Sequence, residues 1–142
     1  MEKLSSLKNK IKITENTDTG IVRKNNEDTI GSDHDLGLLI LADGMGGYNA
    51  GEVASELAVK TITNLVSEAS RRENRNEIDS QTGFMRQTIF LRDSVARANK
   101  IIYQTANTKK HCEGMGTTIV AVMFCDNKIS ITHVGDSRVY RY

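Results

Sequence analysis

The chain has no proline, only two cysteines, and no clear excess of either charge. Without proline, no proline-rich linker divides it. Cys112 and Cys125 are too few for a disulfide framework, and a reducing compartment, the cytoplasm, suits them best. A formal charge of +1 over 142 residues gives no electrostatic reason to expect nucleic acid or membrane as a partner. No stretch approaches the roughly 18 apolar residues of a membrane span. Residues 1–10 are polar and basic, lack the apolar core of a signal peptide, and are expected to form a flexible, solvated tail. Residues 11–142 are one domain's length, and folding would bury about 68–70% of the unfolded surface.

The most informative stretch is Leu38-Leu39-Ile40-Leu41-Ala42-Asp43-Gly44-Met45-Gly46-Gly47. Its short apolar run, bounded by Gly37 and a glycine cluster, predicts a buried strand. Asp43 then stands where the strand leaves the core, and the glycines permit positive φ and close approach of a ligand. On this stretch alone, a tight turn with an ordinary polar residue explains the pattern equally well.

Around it the pattern predicts an α+β chain. Residues 11–15 alternate apolar and polar, as a half-buried strand does. Residues 17–20 are a turn, with Asp18 bonding nearby backbone. Residues 29–31 and 38–42 form a hairpin through 32–35. Val53, Ala54, Leu57, Ala58, Ile62, Leu65 and Val66 line one helix, and Phe84, Leu91, Val95, Ala98 and Ile102 line a second. The link at 70–77 reads as solvated; acidic residues among its arginines argue against nucleic acid. Two successive helices predict a helical layer over one sheet face. Residues 119–124 and 128–134 are strands joined at Asp126-Asn127, residues 135–138 turn again, and 139–142 begin another strand. The last strand is unfinished at Tyr142, and the chain is expected to be a fragment of a single larger domain.

Three acidic sites lie beside glycine turns at strand ends: Glu27-Asp28, Asp43-Gly44 and Gly135-Asp136. Converging carboxylates repel one another unless a cation neutralises them, and an oxygen-only set suits Mg²⁺ or Mn²⁺. His111, Cys112, Cys125 and His133 lack zinc-ligand spacing. A dinucleotide fingerprint would need glycine at 49, where Asn49 stands, and no Gly-Lys-Ser/Thr follows. Ser55 and Ser137 lack the context of an activated nucleophile.

Four motifs in order carry a resemblance: Thr17-Asp18-Thr19-Gly20-Ile21-Val22-Arg23-Lys24-Asn25-Asn26-Glu27-Asp28; Ala42-Asp43-Gly44-Met45-Gly46-Gly47 with Gly51-Glu52-Val53-Ala54-Ser55; Gly114-Met115-Gly116-Thr117-Thr118; and Val134-Gly135-Asp136-Ser137-Arg138. Together the series closely resembles the metal-dependent protein serine/threonine phosphatases of the PPM (PP2C) type, bacterial branch. The resemblance implies a sandwich of two antiparallel sheets flanked by helices, here truncated, with a two-metal site at one end. It implies that Asp43 bridges two Mn²⁺ or Mg²⁺ ions, that Gly44 offers its carbonyl, and that Glu27 serves the second ion. Asp136 would contribute to a third, weaker one. Arg23 and Asp28 become the candidate catalytic residues, Arg23 for the substrate phosphate and Asp28 for orienting water. Gly116-Thr117-Thr118 would only pack at a strand entry.

The implied reaction is attack by metal-activated water on phosphoserine or phosphothreonine. Met45 replaces a histidine found in many eukaryotic members, which leaves protonation of the departing alkoxide to water. The implied partner is a phosphorylated protein, the target of a serine/threonine kinase or such a kinase itself, and the implied state is a monomer. Two further aspartates of the family pattern are expected beyond Tyr142, because Asp126-Asn127 comes too early to be one of them. On that ground residues 1–142 alone are expected to be weakly active. The alternative is a non-catalytic regulatory or binding module that keeps the fold and a partial metal site.

Overall fold

The structure, a computed structural model, describes residues 7 and 9–142. The elements run β1 (Asp28–Asp33), β2 (Leu38–Met45), α1 (Ala50–Arg72), α2 (Arg86–Thr108), a single 3-10 turn (Lys110–Cys112), β3 (Gly116–Thr117), β4 (Ile119–Cys125) and β5 (Lys128–Val134). All strand pairs are antiparallel, in the order β1-β2-β4-β5, with the two-residue β3 pairing the end of β2. The chain is therefore α+β, as expected. One sheet and one helical layer of the implied sandwich lie within the described residues.

Alternation along the strands sorts the sheet into two faces. Leu38, Ile40 and Ala42 of β2, with Ile119, Ala121 and Met123 of β4, point into a buried cluster. The facing residues of α1 are Ala54, Ala58, Ile62 and Val66, and those of α2 are Leu91, Ala98 and Ile102. Small side chains at the start of α1 let it lie close: Gly31 of β1 has no room for a Cβ, which would meet Val59 Cγ1 at 2.5 Å. The hydroxyls of Thr29 and Ser55 join β1 to α1 at 2.7 Å. A second polar tie, Gln87 Nε2 to Ser130 Oγ at 2.8 Å, sets α2 against β5.

Both turns follow their sequences. Asp33 Oδ1 accepts the N–H groups of Asp35 and Leu36, and Gly37 takes φ +63°, so the hairpin turns at 34–37, two residues later than expected. The Asp126-Asn127 turn forms with Asp126 at φ +51°.

Several expectations are corrected. Residues 11–15 keep alternating exposure but join no ladder, because no strand among the described residues lies beside them. Residues 139–142 are likewise not a strand. Phe84 does not lie on α2 and is 58% exposed. The preceding Gly83, at φ +73°, closes a turn in which Asp79 N–H bonds the Phe84 carbonyl, and the helix begins only at Arg86. Gln87 and Phe90 are buried in its place. The supposedly solvated link buries Arg75 to 3% exposure, where its guanidinium donates to the Leu36 carbonyl at 2.6 Å. Of the expected tail, residues 1–6 and 8 lie outside the described residues. Leu7 is buried, and its Cδ1 sits where a Gly37 Cβ would be.

Ile62 is fully buried at the centre of the cluster. Ile62→Ala should lower unfolding free energy by about 2–5 kcal/mol, measured by urea denaturation. A loss below about 1 kcal/mol would mean that the core collapses around the gap.

Candidate metal centre

β2 does not end at Asp43. It runs on to Met45 because β3 pairs with Gly44 and Met45, through Thr117 and Gly116. Asp43 is thus held on both sides: β1 places Asp28 directly opposite it, and its other neighbour is Thr118. On the face away from the helices its carboxylate is exposed beside that of Asp28.

The backbone around these carboxylates is very tightly packed. Gly44 N–H donates to the Glu27 carbonyl at 3.1 Å. A Cβ on Gly44 would meet the Gly51 carbonyl oxygen at 2.0 Å, so only glycine lets the strand pass the start of α1 this closely. A Cβ on Gly51 would strike the Glu27 carboxylate carbon at 2.7 Å. Glu27 therefore lies against the first turn of α1, where the helix dipole favours negative charge. The loop that enters α1 is bent: Tyr48 and Asn49 both have positive φ, 40° and 67°. Asn49 gives α1 no side-chain cap and instead accepts from Asn25 Nδ2.

Asp18, Arg23, Glu27, Asp28, Asp43 and Gly44 share one open cleft of about 580 Å³, which Met45 and Gly46 also line. Asp18 also makes the expected turn, its Oδ1 accepting Gly20 N–H at 2.6 Å. Asp136 does not line the cleft. Its turn is tied to Asp43 indirectly, through the Thr118 and Ser137 hydroxyls at 2.6 Å, a link that the sequence reading missed. The signal for it was the threonine in Gly116-Thr117-Thr118, which had been assigned only to packing.

Burial raises the Asp28 carboxyl above its ordinary 3.8, and the adjacent Asp43 and Glu27 raise it further. A set of oxygen donors that hold each other's charge off in this way fits a hard divalent cation. Among the described residues, no three His, Cys, Asp or Glu side chains are grouped closely enough to hold a metal ion.

The elevated Asp28 pKa means that the folded chain binds more protons than the unfolded one above 3.8. The stabilisation is complete below 3.8 and is lost as pH rises through the folded-state value. Without metal, Asp28→Asn should flatten that part of the pH profile and raise the neutral-pH melting temperature by about 1–2 °C, a small shift because solvent screens the cluster. A variant melting below wild type at neutral pH would contradict the repulsion.

A family model described as protein phosphatase 2C matches residues 21–142. The serine/threonine phosphatase stp of Listeria monocytogenes is 36% identical over 127 residues, 87% of this chain and 47% of that protein. The serine/threonine protein phosphatase PstP of Mycobacterium tuberculosis is 36% identical over 124 residues, 87% of this chain and 21% of that protein. The catalytic domain of PstP, solved in complex with 2 manganese ions, superposes with a TM-score of 0.67 at 36% identity, over 84% of this chain and 45% of that one. The phosphatase Stp1 from Staphylococcus aureus gives 0.64 at 35%, over 85% and 45%. The chain thus spans about half the length of the Listeria relative and of both solved chains. A match from Ile21, just ahead of Arg23, to the last residue, together with that shared fold, makes the chain a member of the protein phosphatase 2C family.

Proposed function

We propose that the protein carrying this chain is a phosphoprotein phosphatase that hydrolyses phosphoserine and phosphothreonine with Mn²⁺ or Mg²⁺. The observation that carries this is the meeting of Glu27, Asp28, Asp43 and Arg23 in one cleft. The naming of the relatives as serine/threonine phosphatases, one of them solved with 2 manganese ions, supports it. Asp43 would hold both of two ions, with Gly44 and Glu27 completing the donors from this chain, and Asp136 would serve a third, weaker ion. Bound there, the cations would lower the pKa of water and neutralise phosphate charge.

The remaining work falls to protein groups. Arg23 presents a planar fork that matches phosphate oxygens and stays charged at any working pH. It would bind the phosphoryl group and balance the charge spread over its equatorial oxygens. Asp28, directly opposite Asp43 on the neighbouring strand, would orient the attacking water. Met45 has no proton to give, so the leaving serine or threonine oxygen would take its proton from water. The substrate would be a phosphorylated protein, the target of a serine/threonine kinase or such a kinase itself. We infer a cytoplasmic monomer; the two cysteines are unbridged, which agrees with a reducing compartment.

The test is Mn²⁺-dependent hydrolysis of a phosphothreonine peptide by the intact protein. Asp43→Asn should lower kcat/KM by about 10²–10³-fold, the several kcal/mol expected of lost cation stabilisation. Metal-independent turnover, or full activity of that variant, would instead indicate a non-catalytic module with a vestigial site. Arg23→Ala should raise KM about 10–100-fold, with Arg23→Lys recovering only part. An unchanged KM would remove Arg23 from phosphate binding.

A further inference from the structure

Thr118 occupies a break in the sheet. Continuing the register of Leu41↔Val120 and Gly44↔Thr117 sets Asp43 opposite Thr118, where a regular ladder would exchange two backbone hydrogen bonds. Only one of them is regular: Thr118 N–H donates to the Asp43 carbonyl at 2.9 Å. In the other direction the Asp43 N–H donates at 3.0 Å to the Thr118 side-chain oxygen, Oγ1. The Thr118 carbonyl is occupied elsewhere, accepting from Thr117 Oγ1 at 2.9 Å. The Thr118 hydroxyl also bonds Ser137 Oγ at 2.6 Å. Its methyl carbon, Cγ2, lies where a Gly135 Cβ would come within 2.8 Å, and Gly135 has φ +94°. Every atom of this side chain beyond Cβ is therefore in use: the hydroxyl on Asp43 and Ser137, the methyl on Gly135.

We propose that Thr118 is a positioning residue that sets the Asp43 carboxylate and couples it to the Gly135–Ser137 turn carrying Asp136, so that the two acidic arms bind cations as one unit. This rests on the metal reading of the site. A peptide bond in a regular ladder would hold Asp43 rigidly but sense nothing beyond its partner strand. A hydroxyl shared with Ser137 ties Asp43 to that turn, because Thr118 Oγ1 bonds both the Asp43 N–H and Ser137 Oγ while Thr118 Cγ2 fills the space beside Gly135. Groups that orient metal ligands from behind typically govern affinity about 10–100-fold.

The experiment measures Mn²⁺ binding to the intact protein by electron paramagnetic resonance titration, alongside the metal-free melting temperature. Thr118→Val keeps the shape and removes the hydroxyl; it should weaken Mn²⁺ binding about 10–100-fold. Thr118→Ser restores the hydroxyl and should recover affinity to within about threefold of wild type. Ser137→Ala should weaken binding in the wild-type background and add little in the Thr118→Val background, since both losses run through one oxygen. Thr118→Val binding Mn²⁺ like wild type, Thr118→Ser binding as weakly as Thr118→Val, or fully additive losses would each overturn the coupling. Should Thr118→Val fail to fold, Ser137→Ala alone decides, and wild-type affinity in that variant overturns it. Failure of the metal reading itself is separately visible, as wild-type protein that takes up no Mn²⁺, and it would overturn the coupling as well.

Discussion

Two carboxylates, Asp28 and Asp43, face each other across the β1–β2 ladder, with Glu27 close by. Like charges directly opposed on neighbouring strands oppose pairing, yet here the β1–β2 ladder runs up to that pair and β2 continues beyond it along β3. The sheet therefore has to hold Asp43 from elsewhere, and the surrounding features do so. β3 extends the pairing beyond the carboxylate, Thr118 replaces a missing ladder bond, and Gly44 and Gly51 let α1 close in against the strand. The core beneath, from Leu38, Ile40 and Ala42 through α1, fixes the strand from behind. Stability supplied by the core keeps the charges together, and in the proposed function a cation would relieve their repulsion.

The division of labour explains where side chains are small. Along α1 the positions nearest the site are Ala50, Gly51, Ala54 and Ser55, and the larger Ile62 and Val66 come later. Bulk near the N-terminus would push the helix off β1 and β2, taking the Glu27 contact with it. At the opposite end of the sheet, Arg75 and the Leu36 carbonyl hold the β1–β2 turn against the inter-helix link. The hairpin that carries Asp28 and Asp43 is thus pinned at both ends.

Much of this was legible in the sequence. The Leu38–Ala42 run and the 3.6-residue period of α1 have strong local signals, the Asp126-Asn127 turn a weaker one without glycine, and each formed where its signal lay. Of the three acidic sites beside glycine turns, Glu27-Asp28 and Asp43-Gly44 share one cleft, with Asp18 and Arg23, whereas Asp136 lies outside it. What was not legible depends on distant partners. Residues 11–15 and 139–142 have strand-like patterns, but pairing needs a neighbour that local alternation cannot reveal. Arg75 looked like one of several surface arginines, and only the fold brings a carbonyl to it. Thr118 was read as packing because its value lies in touching Asp43 and Ser137, 75 and 19 residues away. Phe84 fitted the helical period by coincidence, although the helix begins only at Arg86.

The most direct measurement is the anomalous scattering of manganese in crystals of the intact protein grown with Mn²⁺. Peaks within coordination distance of the Asp43 carboxylate, with one also reaching the Gly44 carbonyl or the Glu27 side, are the predicted result. Manganese bound only elsewhere, with no metal beside Asp43 and Asp28, would contradict a metal centre built on this hairpin.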